Sequence, residues 1–186
     1  GIGPELCLHL LNKRRSDPSC TMMVFGNLKI LKKVAETCGL PLPEQIIDGN
    51  GSKQKVANIQ THCLLDLAFE GSESICPGKH SAQAGAAGML FLNSAIEAAL
   101  TGHADAITTA PLNKKSLNLA GIKHPGHTEI LAEETGSKNF CMMQYSEELT
   151  ATFATCHVGL EEVAGLITRE RVLEVIRLTA RALEKL

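Results

Sequence analysis

With 186 residues, 44% of them apolar, and a net charge of −2 from 18 basic and 20 acidic side chains, the sequence describes one large globular domain or parts of two. The balanced charge leaves no basic face to match a phosphate backbone, and one Tyr with no Trp leaves no stacking platform, so nucleic acid is excluded as a partner. No apolar run approaches the roughly 20 residues that span a bilayer, no signal peptide is visible, and seven scattered cysteines without a Cys-x-x-Cys pair point to reduced thiols in a cytoplasmic protein.

The chain opens on Gly1-Ile2-Gly3-Pro4-Glu5, which reads as the second half of a strand-to-helix turn. Gly3 relaxes the backbone, Pro4 fits a first helical turn and Glu5 suits the positive helix end. The helix carries Leu6, Leu8, Leu10 and Leu11 and should stop before Asp17-Pro18. Residues 20–25 form a short apolar strand, with Gly26-Asn27 as a turn signal. Apolar residues at 28, 31, 34, 35 and 38 predict a helix closed by Gly39. In the stretch from Pro41 to His80, residues 45–48 and 62–67 read as strands in an irregular connection, and no site is placed there. Residues 81–100 predict an Ala-rich helix capped by Ser81 in front and Gly102 behind, with Ala84, Gly85 and Gly88 permitting close packing against a sheet.

Residues 104–110 are expected to be the central buried strand, ending at Pro111, a good first residue for a helix. That helix closes over residues 118–121, with Gly121 as C-terminal cap. Pro125-Gly126-His127-Thr128-Glu129 then reads as a turn opening a second helix, Thr128 its N-cap, that ends near Gly136. Such a layout crowds Asn113, Lys114, His127 and Thr128 around the carboxyl end of one strand, where ligands bind in open α/β sheets. Residues 140–145 and 150–158 predict a hairpin that sets Phe153, Thr155 and His157 on one face. A short helix over 159–167 follows, with Glu161 and Glu162 in its first turn. Thr168 caps a last helix lined on one side by Val172, Ile176, Thr179 and Leu183. The alternation of helix and strand points to parallel βα units and an α/β class.

The run Ala110-Pro111-Leu112-Asn113-Lys114, then Ala120-Gly121-Ile122, then Gly126-His127-Thr128-Glu129, resembles the 4-hydroxythreonine-4-phosphate dehydrogenases of vitamin B6 synthesis. Gly1-Ile2-Gly3-Pro4-Glu5 and Ala154-Thr155-Cys156-His157 match the same family in the same order, so the likeness spans essentially the whole chain. The resemblance implies the two-domain α/β/α fold of the isocitrate and isopropylmalate dehydrogenases, with the active site between the domains. On that reading residues 1–120 hold most of a first domain, residues 121–186 begin a second, and the chain is incomplete at both ends.

Seven histidines are present. His9, His62, His80 and His103 read as structural or surface residues, and His124 lies outside the family pattern. At His127 and Thr128, an imidazole, a hydroxyl and helix N–H groups in succession suit a phosphorylated hydroxy acid, and the resemblance implies that both contact substrate. It also implies that His157 is one of three histidine ligands of a divalent metal (zinc, magnesium or cobalt), in a site shared between the partners of a homodimer. Asn113 and Lys114 are weaker candidates for reaching a substrate phosphate or carboxylate, and no catalytic base can be read. The sequence has no full Gly-x-Gly-x-x-Gly fingerprint, so NAD or NADP is implied by the resemblance alone. The implied reaction is oxidation with decarboxylation of 4-phosphonooxy-L-threonine. Its rivals are D-threonate or D-erythronate 4-phosphate oxidation in the same family, a phosphate acyltransferase on the same fold, and a fragment without activity.

Overall fold

In the computed structural model, which describes residues 1–13, 20–50, 59, 61–124 and 126–186, helix α1 (Gly3–Lys13) turns Leu8 and Leu11 into the protein. They sit one turn apart, so one face meets Val24 of β1 (Met23–Gly26), Leu31 and Ala35 of α2 (Leu28–Cys38) and Leu64 of β3 (Cys63–Asp66). Full burial of a side chain such as Leu64 stabilises by about 2 kcal/mol. The expected stop before Asp17-Pro18 lies outside the described residues.

β1, β3 and β2 (Gln45–Asp48) make a parallel sheet in the order β1-β3-β2, with Cys63 in register with both Met23 and Gln45. Cys63, Leu64 and Leu65 of the central strand are all buried, as a strand covered on both faces requires. Edge strand β2 alternates instead, and Ile46 stays exposed. The carboxyl edge of this sheet is closed by its own polar side chains. Asn27 accepts from the Ile30 N–H as the cap of α2 and donates to the Leu67 carbonyl, while Asp66 accepts from the Leu28 N–H at 2.8 Å.

All seven cysteines are free. Burial pushes the Cys63 thiol up to about 11, whereas Cys20, Cys38 and Cys76 are exposed. At pH 8 only roughly one Cys63 in a thousand would then be thiolate, the reactive form. A colorimetric thiol reagent at that pH is expected to modify the three exposed thiols quickly and Cys63 only with unfolding. Modification of Cys63 at the rate of the exposed group would contradict the central position of β3.

Helix α3 (Ala82–Leu100) begins where Ser81 accepts from the Ala84 N–H. It touches β1, but its close approach is to another helix, α4 (Lys114–Leu119), rather than to the sheet as the small residues suggested. At Gly85 a Cβ would stand 2.1 Å from the Ser116 carbonyl oxygen. α4 closes through Gly121, whose N–H donates to the Asn118 carbonyl and whose φ of 81° lets the Ile122 N–H reach that of Leu117.

The expected central strand over residues 104–110 does not form, and the helix after it starts at Lys114 rather than Pro111. The segment passes the start of α1 at Ala110, whose Cβ lies 3.1 Å from the position of a Cβ on Gly3, and it pairs with no strand among the described residues. Apart from Ile107 its side chains are small or polar, so it gains little from burial.

The described residues divide into two compact units, Gly1–His124 and Pro125–Leu186. In the second, α5 (His127–Glu134) is followed by the antiparallel pair β4 (Met143–Tyr145) and β5 (Thr150–Thr152), then α6 (Leu160–Leu166) and α7 (Arg169–Leu183). Ser146 closes the hairpin loop by accepting from the Leu149 N–H. Glu162 accepts from the Gly159 N–H at the start of α6, and Thr168 from the Arg171 N–H at the start of α7.

Of the stripe expected on α7, Thr179 packs, 3.0 Å from the Thr152 hydroxyl, but Val172, Ile176 and Leu183 are exposed and Val175 is buried instead. Apolar residues occupy both stripes, so periodicity alone does not choose. Arg171 does: its Nε donates to the Ala154 carbonyl at 2.9 Å and its Nη2 to that of Phe140 at 3.0 Å.

Candidate functional site

The first turn of α5 collects the motif residues. Gly126, extended at φ −173°, occupies the N-cap and its carbonyl accepts from the Ile130 N–H. His127, Thr128 and Glu129 are therefore the first three helical residues, and Thr128 is not the cap expected from the sequence. A hydroxyl at the cap would have been a conventional choice, but here the backbone bond from Ile130 decides the start. Glu129, third in the helix, places its carboxylate at the positive end of the helix dipole.

His157 does not end a strand. β5 stops at Thr152, the chain turns away, and Phe153, Thr155 and His157 do not form one strand face. His157 instead takes φ 57°, the one left-handed non-glycine residue among those described. For an L-residue that region costs roughly 1–2 kcal/mol, and such strain concentrates at sites where surrounding structure dictates the geometry.

The ring of His157 reaches back across 28 residues to α5, where its Nδ1 lies 3.0 Å from Glu129 Oε1. The two side chains are 42% and 25% exposed. A pair this wet contributes about 0–1 kcal/mol to stability, less than the backbone strain beside it. Its consequence is orientation: a neutral His157 would donate its Nδ1 proton to the carboxylate and keep the lone pair on Nε2. In that tautomer Nε2 could serve as one ligand atom to a divalent cation. Among the described residues no group of three or more His, Cys, Asp or Glu comes together, so His157 would be a single ligand.

Beside this pair lies a cavity of about 330 Å³. Phe140, Met142 and Phe153 supply apolar wall, and Thr128, Glu129 and Arg171 supply polar atoms. Thr128 thus lines the cavity, while His127 and His157 do not. Arg171, through its two carbonyl bonds, holds the segments that flank the hairpin and carry part of this wall.

Asn113 and Lys114 belong to the first unit and His127, Thr128 and His157 to the second. The Asn113 side chain accepts from the Ser116 N–H at 2.9 Å as the cap of α4, and Lys114 is exposed in that helix's first turn. Of the remaining histidines, His62 accepts from the Met22 N–H through Nδ1 and His103 lies 2.8 Å from the Thr101 hydroxyl. Reading the sequence missed the partnership of Glu129 and the anchoring by Arg171. Neither leaves a local signal, since their partners lie 17 to 31 residues away.

The model of one protein family, described as pyridoxal phosphate biosynthetic protein PdxA, matches residues 18–186. Over 185 residues the chain is 36% identical to a Symbiobacterium thermophilum protein provisionally named a D-threonate 4-phosphate dehydrogenase, covering all of this chain and 55% of the relative. It is 32% identical over 186 residues to a 4-hydroxythreonine-4-phosphate dehydrogenase from Trichlorobacter lovleyi, with the same coverage. The crystal structure of 4-hydroxythreonine-4-phosphate dehydrogenase from Klebsiella pneumoniae superposes with a TM-score of 0.82 at 32% identity, covering 99% of this chain and 56% of that one. The chain spans about half the length of the relatives it matches. No described helix is long and apolar enough to cross a membrane.

Proposed function

The chain belongs to the PdxA family of pyridoxal phosphate biosynthetic proteins, and from that membership we propose that it serves a metal-dependent, NAD- or NADP-linked oxidation, with decarboxylation, of 4-phosphonooxy-L-threonine. His127 and Thr128 orient the substrate from the first turn of α5. His157 contributes one ligand to a divalent cation (zinc, magnesium or cobalt) in a site shared by a cytoplasmic homodimer. Such a cation, when bound, polarises the substrate hydroxyl and the carbonyl formed from it. The observation that carries the reading is the pairing of His157 with Glu129 in the same helical turn as His127 and Thr128, at 3.0 Å. It links the proposed metal ligand to the proposed substrate turn, and the strained backbone of His157 fits a residue held for function.

D-threonate 4-phosphate is the second substrate reading, favoured by the name of the relative at 36% identity. The two substrates differ in carrying an amino group or a hydroxyl. The full-length protein is to be assayed with each, in NAD and NADP, with and without chelator. Turnover of one phosphorylated acid that chelator abolishes is expected, whereas equal turnover in chelator, or none with either acid, would overturn the reading.

The same assay sets the expected effect of His127→Ala and Thr128→Ala. Loss of a hydrogen bond to a charged substrate costs roughly 1.5–3 kcal/mol, a rise of about ten- to a hundredfold in KM or substrate Kd. Because Gly126 and not Thr128 caps α5, thermal melts of both variants should stay close to the wild type. Loss of folding with unchanged substrate affinity would return these residues to a structural role.

A further inference from the structure

Resting on that reading of His157, we infer that Glu129 is a positioning residue for the metal ligand: its carboxylate holds His157 by Nδ1 so that Nε2 is the atom presented for coordination. The two residues sit on different elements, one in the first turn of α5 and one in the segment between β5 and α6, and Oε1 and Nδ1 are 3.0 Å apart. Two properties of the pair favour orientation over stability. Its partial exposure leaves little net Coulombic gain. The backbone of His157, at φ 57°, lies outside any helix or ladder, so regular secondary structure does not aim the ring.

Gly126 adds a steric argument. A Cβ built there would lie 3.4 Å from Glu129 Oε2 and 3.8 Å from His157 Cε1, so the backbone of the motif turn packs against both members. The carboxylate and the imidazole thus settle onto the turn that carries His127 and Thr128. A ligating histidine whose other nitrogen donates to a carboxylate gains a fixed tautomer and a more basic ligand atom, and loss of such a partner costs roughly 10–100-fold in metal affinity or activity.

The test uses the full-length protein as wild type, Glu129→Ala, Glu129→Gln and His157→Ala. Long-range nitrogen–proton spectra of the metal-free, ¹⁵N-histidine-labelled proteins report which ring nitrogen of His157 carries the proton. The proton is expected on Nδ1 in the wild type and in Glu129→Gln, whose amide oxygen can still accept it, and on Nε2 in a large share of Glu129→Ala. Calorimetric titration with zinc should give Glu129→Ala an affinity about 10–100-fold below the wild type, with Glu129→Gln between them. A wild-type proton on Nε2, or zinc binding by Glu129→Ala within a factor of about two of wild type, would overturn the positioning role while leaving His157 as a ligand. Wild-type zinc binding that His157→Ala does not weaken, or no zinc binding at all, would overturn the metal reading itself and the positioning role with it.

Discussion

Gly85→Ala is expected to destabilise the protein by about 2 kcal/mol or more, although alanine is the better helix former. In the middle of a helix the exchange normally gains about 1 kcal/mol. At Gly85 the added carbon would stand 2.1 Å from the Ser116 oxygen, 2.5 Å from its carbonyl carbon and 2.9 Å from the Leu117 nitrogen. These are backbone atoms, so no side-chain rotation relieves the overlap. α4 itself would have to move, and with it the buried Leu117 and the cap that Asn113 gives Ser116. Overpacking of a tight contact costs about 3 kcal/mol at the upper end of the usual range, so the clash outweighs the propensity. Gly88, on the same helix, has no heavy atom within 4 Å of its would-be Cβ, and Gly88→Ala should stabilise by up to about 1 kcal/mol. Urea unfolding of the two variants is expected to move in opposite directions. A common shift would refute the contact between α3 and α4.

His157 offers the second large effect, in which stability and function separate. His157→Ala and His157→Gly both remove the proposed ligand atom and the Glu129 pair. Each should lower cation affinity in the full-length protein by at least the roughly 100-fold that loss of an outer-shell partner alone can cost. The two should differ in stability. At φ 57° alanine keeps the left-handed strain of about 1–2 kcal/mol, while glycine is free of it but loses about 0.5–1 kcal/mol through the entropy of its unfolded chain. His157→Gly is thus expected to be the more stable by about 0.5–1 kcal/mol, read from denaturant midpoints. Equal stability would mean that the turn relaxes out of its left-handed conformation. Unchanged cation affinity in both would remove His157 from the metal site.

The site was legible in its members and not in its geometry. Gly126-His127-Thr128-Glu129 and His157 announce themselves by residue type and by family resemblance. Glu129, however, stands in the sequence only as the last letter of that motif, and nothing near residue 157 in the chain names its partner. Arg171 shows the same limit. As a letter it is one charge on an amphipathic helix, yet in the fold its guanidinium ties the Phe140 and Ala154 carbonyls together and turns α7 onto Val175.

What the sequence determined by itself is where partners lie within one turn of the chain. Gly39 closes α2, Ser81 starts α3, Gly121 closes α4 and Thr168 starts α7, because each end is satisfied by a group three to five residues away. Strands β2 and β3 were also visible, from short apolar runs that a sheet could cover. Tertiary structure alone decided which strand-like stretches joined a ladder: β3 found neighbours on both sides, whereas residues 104–110, with a similar look in sequence, found none among the described residues. It alone chose the buried stripe of α7 and put His157 beside Glu129. A strand needs another strand's hydrogen-bonding edge, and an imidazole needs a carboxylate brought from 28 residues away. Those partners exist only once the chain has folded.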